Sequence, residues 1–246
     1  MYKTTLKKIA QETLNEMIDL HNKWLAGDEN GVRADFGDMD LSGLDFSHRD
    51  LTHAIFAYAD LTLARFINTN LSKANFRSTE LYKVDFEGAY LKNADFTGAK
   101  IVRTYFYDAD ITETNFHEAT ITDTIFTCAN ADGANFWDAD LYRVDFQFAE
   151  LENAWFLGAK LYQVDFTDAN LYDADMTATR LTGVNFTGAK FKCVNLLRAN
   201  ILPTTYTDTE NGAYPKMIFP KTIKREDIIV NDELWEKIQE CIKNQQ

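Results

Sequence analysis

Fourteen phenylalanines recur at ten-residue steps without a gap: Phe36, Phe46, Phe56, Phe66, Phe76, Phe86, Phe96, Phe106, Phe116, Phe126, Phe136, Phe146, Phe156 and Phe166. The chain holds 18 Phe in 246 residues, so most of them are committed to one ladder. Midway between the rungs runs an aliphatic series: Leu41, Leu51, Leu61, Leu71, Leu81, Leu91, Ile101, Ile111 and Ile121, then Ala131, then Leu141, Leu151, Leu161, Leu171 and Leu181. The underlying period is five. Two residues before each central position the chain takes only Ala, Thr or Val from Ala54 to Thr204. The residue between is most often Asp or Asn, as at Asp35, Asp45, Asp60, Asn75, Asp85, Asp95, Asn135 and Asp165. A fixed short period is the mark of a solenoid, in which each repeat packs only on its neighbours.

The small, polar, large triplet alternates with the two-residue period of an extended segment that has one face buried. Two mostly polar residues then reset the phase. A helix would need apolar spacings of three and four, which the pattern lacks. A chain that turns a corner every five residues closes a square in four steps. Phe36, Phe56, Phe76 and their successors then stack up one wall, and Phe46, Phe66, Phe86 and theirs up the opposite wall. The aliphatic series fill the other two. Coils about 4.8 Å apart bond backbone to backbone, giving a rod of roughly nine coils and about 40 Å. Offset stacking of the rings adds to apolar burial. Ala131, small in a large-residue series, predicts a narrowed or loosely packed coil.

The triplets Ala34-Asp35-Phe36, Ala94-Asp95-Phe96, Ala134-Asn135-Phe136 and Ala139-Asp140-Leu141 resemble the consensus of the pentapeptide-repeat proteins, and the likeness runs from about 34 to 206. The resemblance implies an all-β solenoid, a right-handed quadrilateral β-helix, here with helical caps at both ends. It also implies a partner, because some members bind DNA gyrase by mimicking duplex DNA. Gyrase-protecting members often carry loops projecting from the coil, whereas the repeat phase here has no insertion between 34 and 206. The expected organisation is an N-terminal helical cap and leading loop over 1–33, the repeat over 34–206, and an exit segment with a C-terminal helix over 207–246.

Residues 4–26 read as a helix with Leu6, Ile9, Ala10, Met17, Leu20 and Trp24 near one face, ending at the Gly27–Gly31 loop. Met39, Leu44 and Arg49 are too large for standard small sites, so the first coil is expected to splay against that helix. The run Leu20 to Leu25 ahead of Arg33-Ala34-Asp35-Phe36 also resembles the lead-in of many family members. At the other end Pro203, Pro215 and Pro220 suit an exit segment, since proline removes a ladder donor. Residues 232–243 read as a helix capped by Asn231, with Val230 and Trp235 as a hydrophobic staple. Its stripe of Leu234, Ile238 and Cys241 either covers the last coil or pairs with a second copy in a homodimer.

A net charge of −13 argues against direct binding of nucleic acid or of an anionic membrane. No apolar run is long enough to span a bilayer, and the N-terminal stretch lacks a signal peptide's apolar core. Three widely spaced cysteines do not form a disulfide framework, which suits a reducing cytoplasm. There is no phosphate-binding glycine loop, no cysteine-pair zinc spacing and no nucleophile elbow. His48 and His53, on either side of Asp50, read as surface residues, and His21 as a packed one. The expectation is a rigid non-enzymatic scaffold for an unknown protein partner, with no catalytic residue, no cofactor and no metal.

The repeat also sorts outward residues by face. In the segments 105–113, 125–133, 145–153 and 165–173 the acids are Asp108, Asp110, Glu113, Asp132, Asp145, Glu150, Glu152, Asp165, Asp168 and Asp173, with no Lys or Arg among them. Asp145 and Asp165 should stack one coil apart, a like-charge pairing that costs stability. With the family resemblance, this wall makes a DNA-mimicking modulator of gyrase, or of another type II topoisomerase, one candidate function. Elsewhere Lys83, Lys100, Arg103, Arg143, Lys160 and Arg180 share a face with Tyr82, Tyr142 and Tyr162, but Glu80, Asp123 and Asp140 interleave with them, which reads as an ion-pair ladder. A third patch joins Trp137, Trp155 and Leu157 at outward positions, the basis of an adaptor reading.

Overall fold

The structure, a computed structural model, describes residues 6–201, 207–208, 212–213 and 217–243. Parallel bridges link residues 20 apart, from Asp35 through Ile55, Asn75, Asp95, Asn115, Asn135, Trp155 and Asp175 to Asn195. The same step recurs on the other three faces, so the chain is a four-sided parallel β-solenoid. We number the faces by their inward residues: face 1 carries Phe36 to Phe156, face 2 Leu41 to Leu181, face 3 Phe46 to Phe186, and face 4 Leu51 to Leu171. On face 2 the bridges lengthen into strands, from Glu80–Tyr82 through Lys100–Val102, Thr120–Thr122, Asp140–Tyr142 and Lys160–Tyr162 to Arg180–Thr182. Asn200–Ile201 closes that seven-stranded parallel sheet.

Every Phe of the ladder is fully buried. Within a wall successive rings stack at 4.5 to 5.3 Å, as between Phe46 and Phe66 and between Phe146 and Phe166. Across the core, rings of faces 1 and 3 meet edge to face, for example Phe56 with Phe66 at 5.5 Å and Phe126 with Phe136 at 6.2 Å. Both geometries suit the ring quadrupole. Ala131 is fully buried, and its N–H donates to Glu150 at 2.7 Å as regularly as its neighbours do. With the rings beside it 6.2 Å apart, the coil is not narrowed there. The backbone ladder, rather than the volume of one side chain, sets the coil's width.

Two locks recur at the corners. The Asp or Asn before the central residue accepts, through Oδ1, the N–H two residues on: Asp35 from Gly37 (2.9 Å), Asn75 from Arg77 (3.0 Å), Asp175 from Thr177 (2.9 Å). These are Asx turns, which explains the residue preference. Then the second residue after the centre takes positive φ at every pentad from Asp38 to Arg198. At many of these corners the next N–H bonds back across the turn, as Ala54 does to Leu51 (2.9 Å), in the manner of a type II turn. Where Thr replaces Ala at the small site, its buried hydroxyl donates to a backbone carbonyl: Thr114 to Leu91 at 2.8 Å, Thr79 to Phe76 at 2.7 Å.

The N-terminal cap differs from the sequence expectation. Helix α1 spans Gln11–Leu25 and starts later than residue 4, because Lys7–Lys8 pairs in parallel with Met39–Asp40 and covers that strand edge. The Gln11 amide does the same at Asp45, donating to its carbonyl and accepting its N–H, each at 2.9 Å. The buried helix face is Leu14, Ile18 and His21, while Leu20 is exposed. Leu44 is buried in the same core as Leu14 and Ile18 of the helix, and Met39 is partly buried against that core.

His21 Nδ1 accepts the Ala34 N–H at 3.1 Å, and burial pushes its pKa below the ordinary 6.5, an effect the nearby Asp50 opposes without overcoming. A folded value below the unfolded one means that the unfolded chain binds the proton first. The cap's stability is therefore full above pH 6.5 and declines as pH falls below it, toward the depressed folded value. The Ala34 amide should lose hydrogen-exchange protection as pH is lowered below 6.5, relative to the mid-solenoid Ala134 amide. Parallel protection at both amides would refute this role for His21.

At the other end the regular ladder is described as far as Ile201, and residues 202–206 lie outside the described residues. The chain then returns to the solenoid. Ile218 bridges Asn185 and its carbonyl accepts the Phe186 N–H at 2.8 Å. Phe219 stacks on Phe186 at 5.3 Å, and Ile228–Ile229 pairs with Val194–Asn195. Part of the exit segment is thus laid over the last coil. Helix α2, Asp232–Lys243, begins with Asn231 Oδ1 accepting the Leu234 N–H at 2.8 Å. Its Leu234 and Ile238 are buried within the chain, so this stripe is not free to receive a second copy.

Candidate functional site

The acidic residues fall on faces 3 and 4, around the corner the two share. Asp145 bridges Asp165 directly, and Asp110, Asn130, Glu150 and Asn170 form the parallel column on face 4. The ten acids divide by role. Asp110, Asp145 and Asp165 hold Asx turns, to Thr112 (3.0 Å), Gln147 (2.8 Å) and Thr167 (2.8 Å). Glu150 accepts from Asn170 at 2.8 Å, and Asp132 from Asn153 at 3.3 Å. Glu113 lies 3.8 Å from Lys92 one coil below, so the strip's lower margin is partly neutralised. Asp108 and Asp168 occupy positive-φ corners, and with Glu152 and Asp173 they are exposed. The Asp168 carboxylate leans over Gly188, where a Cβ would collide with it.

Face 2 carries the ion-pair ladder. The parallel register sets Glu80 opposite Lys100 and Asp140 opposite Lys160, the latter pair at 2.9 Å. Arg143 grips Asp123 with two hydrogen bonds and holds its carboxyl below the usual range, and Arg103 approaches from the other side at 3.8 Å. Tyr142 and Tyr162 stack at 4.5 Å beneath Arg143, whose guanidinium lies 4.2 Å from the Tyr142 ring centre. Arg103, Arg143 and Lys160 are thus paired within the chain.

Trp137, Trp155 and Leu157 lie together on face 1. Trp155 sits directly above Asn135, which places Leu157 above Trp137. The indoles are 43% and 56% exposed, and Leu157 is half-buried. His117 meets the Trp137 edge at 5.1 Å.

Sequence reasoning missed three aromatic residues beside the acidic corner: Tyr105, Tyr107 and Phe148, all exposed. Phe148 could have been found by its position, since it stands where the repeat turns outward. A cleft of about 270 Å³ opens where Pro220, Thr222 and Ile223 of the returning segment cross Tyr172, Lys190 and Phe191. Its one carboxylate, Asp227, already accepts the Lys224 N–H at 2.9 Å. Among the described residues no three His, Cys, Asp or Glu side chains are grouped to hold a metal ion, and no helix is long and apolar enough to cross a membrane. Cys128, Cys193 and Cys241 are free thiols.

These features define a class first: a repeat scaffold whose outward residues form ordered columns on flat parallel faces. The family described as pentapeptide repeats matches in eight copies, at residues 32–66, 59–98, 146–183 and 169–201, and a pentapeptide repeat region matches 79–156. The chain belongs to the pentapeptide-repeat family. Among solved structures it is similar to HetL, a pentapeptide-repeat protein involved in heterocyst differentiation regulation in the cyanobacterium Nostoc sp. strain PCC 7120. That likeness has 22% identity and a TM-score of 0.34, covering 73% of this chain and 88% of HetL. It is also similar to full-length QnrB1, a plasmid-mediated fluoroquinolone resistance protein, at 11% identity and a TM-score of 0.32, covering 72% of this chain and 95% of QnrB1. No curated protein matches.

Proposed function

We propose that this protein is a non-enzymatic scaffold of the cytoplasm that docks, through the acid-lined corner of faces 3 and 4, onto a protein surface built to hold duplex DNA. DNA gyrase or another type II topoisomerase is the candidate partner that family membership brings. The observation that carries this reading is charge density. Ten carboxylates lie over four coils, which at about 4.8 Å per coil is roughly one charge per 2 Å. Duplex DNA carries about one per 1.7 Å. A rigid array pays little ordering entropy on docking.

The test is a gyrase supercoiling titration with the native protein and with a variant neutralised at Asp108, Glu113, Asp132, Glu152 and Asp168. Asn and Gln are the replacements, and Asn suits the positive-φ corners. The turn-holding Asp110, Asp145 and Asp165 stay, so the fold is retained or slightly stabilised. The native protein should inhibit gyrase or protect it from a drug, with the variant at least tenfold weaker. Equal potency, or no effect from the native protein, would overturn the reading.

A further inference from the structure

We propose that the Trp137–Trp155 patch on face 1 is a docking site for an extended, arginine-bearing segment of a partner protein. Several surface rings of this chain are already covered by its own cations. Arg33 lies over Trp24 at 6.0 Å, Lys83 over Tyr82 at 5.3 Å, Arg143 over Tyr142 at 4.2 Å and Lys192 over Tyr172 at 5.8 Å. Trp137 and Trp155 have no such cover among the described residues, yet indole is the strongest of these rings for a cation.

Their surroundings are built for positive charge. The face 1 segments 114–118, 134–138, 154–158 and 174–178 contain Glu118, Asp138 and Asp175 and no Lys or Arg. Asp138 and Glu118 follow Trp137 and His117 at the corner, and Asp175 stands directly above Trp155. The Oδ1 atom of Asp175 accepts both the N–H and the hydroxyl of Thr177, and the residue is half-buried. The nearest cations on this face are Arg77, bonded to Asp95 at 3.2 Å, and Arg198. At the next corner the Asp138 carboxylate leans over Gly158, where a Cβ would collide with it, so the coil above leaves room for that charge beside Leu157.

Geometry sets the ligand's form. One coil and two strand positions separate the indoles, a diagonal of about 8 Å. Alternate side chains of an extended peptide lie about 6.7 Å apart on one side, so arginines at alternate positions reach both rings. A planar guanidinium stacks on indole and still bonds a carboxylate, which an ammonium does less well.

Acetylated, amidated and dye-labelled hexapeptides alternating Arg with Ser, Lys with Ser and Glu with Ser are the probes, read by fluorescence anisotropy. The Arg peptide should bind several-fold more tightly than the Lys peptide, and the Glu peptide should show no binding. Combined Trp137→Leu and Trp155→Leu should weaken the Arg peptide at least tenfold while leaving thermal unfolding unchanged. Asp138→Asn with Glu118→Gln should weaken it less. The variant neutralised on faces 3 and 4 should keep binding within about twofold, which separates this site from the acidic corner. Unchanged binding by the double Leu variant, or equal loss in the face 3 and 4 variant, would overturn the proposal.

Discussion

Phe106→Ala is expected to lower the free energy of unfolding by about 3–5 kcal/mol, the cost of emptying a fully enclosed aromatic site. Phe106 stacks between Phe86 at 4.9 Å and Phe126 at 4.6 Å and meets Phe96 and Phe116 edge to face at 6.1 Å. The coil cannot collapse around the gap, because backbone bonds pin it above and below: Phe106 donates to Ile125 and the Tyr105 carbonyl accepts from Phe86, each at 2.8 Å. Phe106→Leu keeps most of the volume and should cost less than about 1.5 kcal/mol. Urea unfolding of the two variants checks both values. An alanine variant as stable as the parent would mean that the ring is not inside.

The second large effect is expected at Gly31. A Cβ there would fall on the backbone of Lys23 and Trp24 at the end of α1. Backbone cannot swing aside as a flexible side chain can, so Gly31→Ala should cost about 3 kcal/mol and loosen the N-terminal cap. Gly43 provides the comparison. It has φ of 73° and nothing within 4 Å of its Cβ position, so alanine there meets only the left-handed penalty, about 1 kcal/mol. Chemical unfolding followed at the Trp24 indole resonance should show the difference. Equal losses at the two sites would remove the steric explanation for Gly31.

The pentad's period revealed its architecture because one side chain in five must fill the interior and another must let the backbone pass. The walls of Phe and the small sites from Ala54 onward follow from that demand alone. The Asn231 cap was equally legible, since the helix start leaves amides that a short side chain must meet. The positive-φ corners were hidden. Tyr58, Leu63 and Phe148 stand at them alongside glycines, because the ladder on both sides imposes the conformation whatever the residue. The start of α1 was misplaced for a related reason: Lys7 and Lys8 pair with Met39–Asp40 although they carry no strand pattern. Leu14 and Ile18 were overlooked once that face had been misjudged. The chain's return at Met217–Phe219 breaks the phase of five, so counting could not follow it. At the acidic corner composition located the strip. Only the Asx turns at Asp110, Asp145 and Asp165 separate carboxylates that hold corners from those left to solvent.

The parallel ladder has a consequence for the molecule's length. A stack of in-register strands has the same backbone spacing as a cross-β fibre, and each finished coil is a template for another. Nothing in the repeat itself says how many coils there should be. That instruction resides in the ends: in Lys7–Lys8 and the Gln11 amide beneath the first coil, and in Ile218, Ile228–Ile229 and α2 above the last. These capping segments act as chain stops on an otherwise open-ended ladder, so the solenoid stays finite through its least repetitive residues.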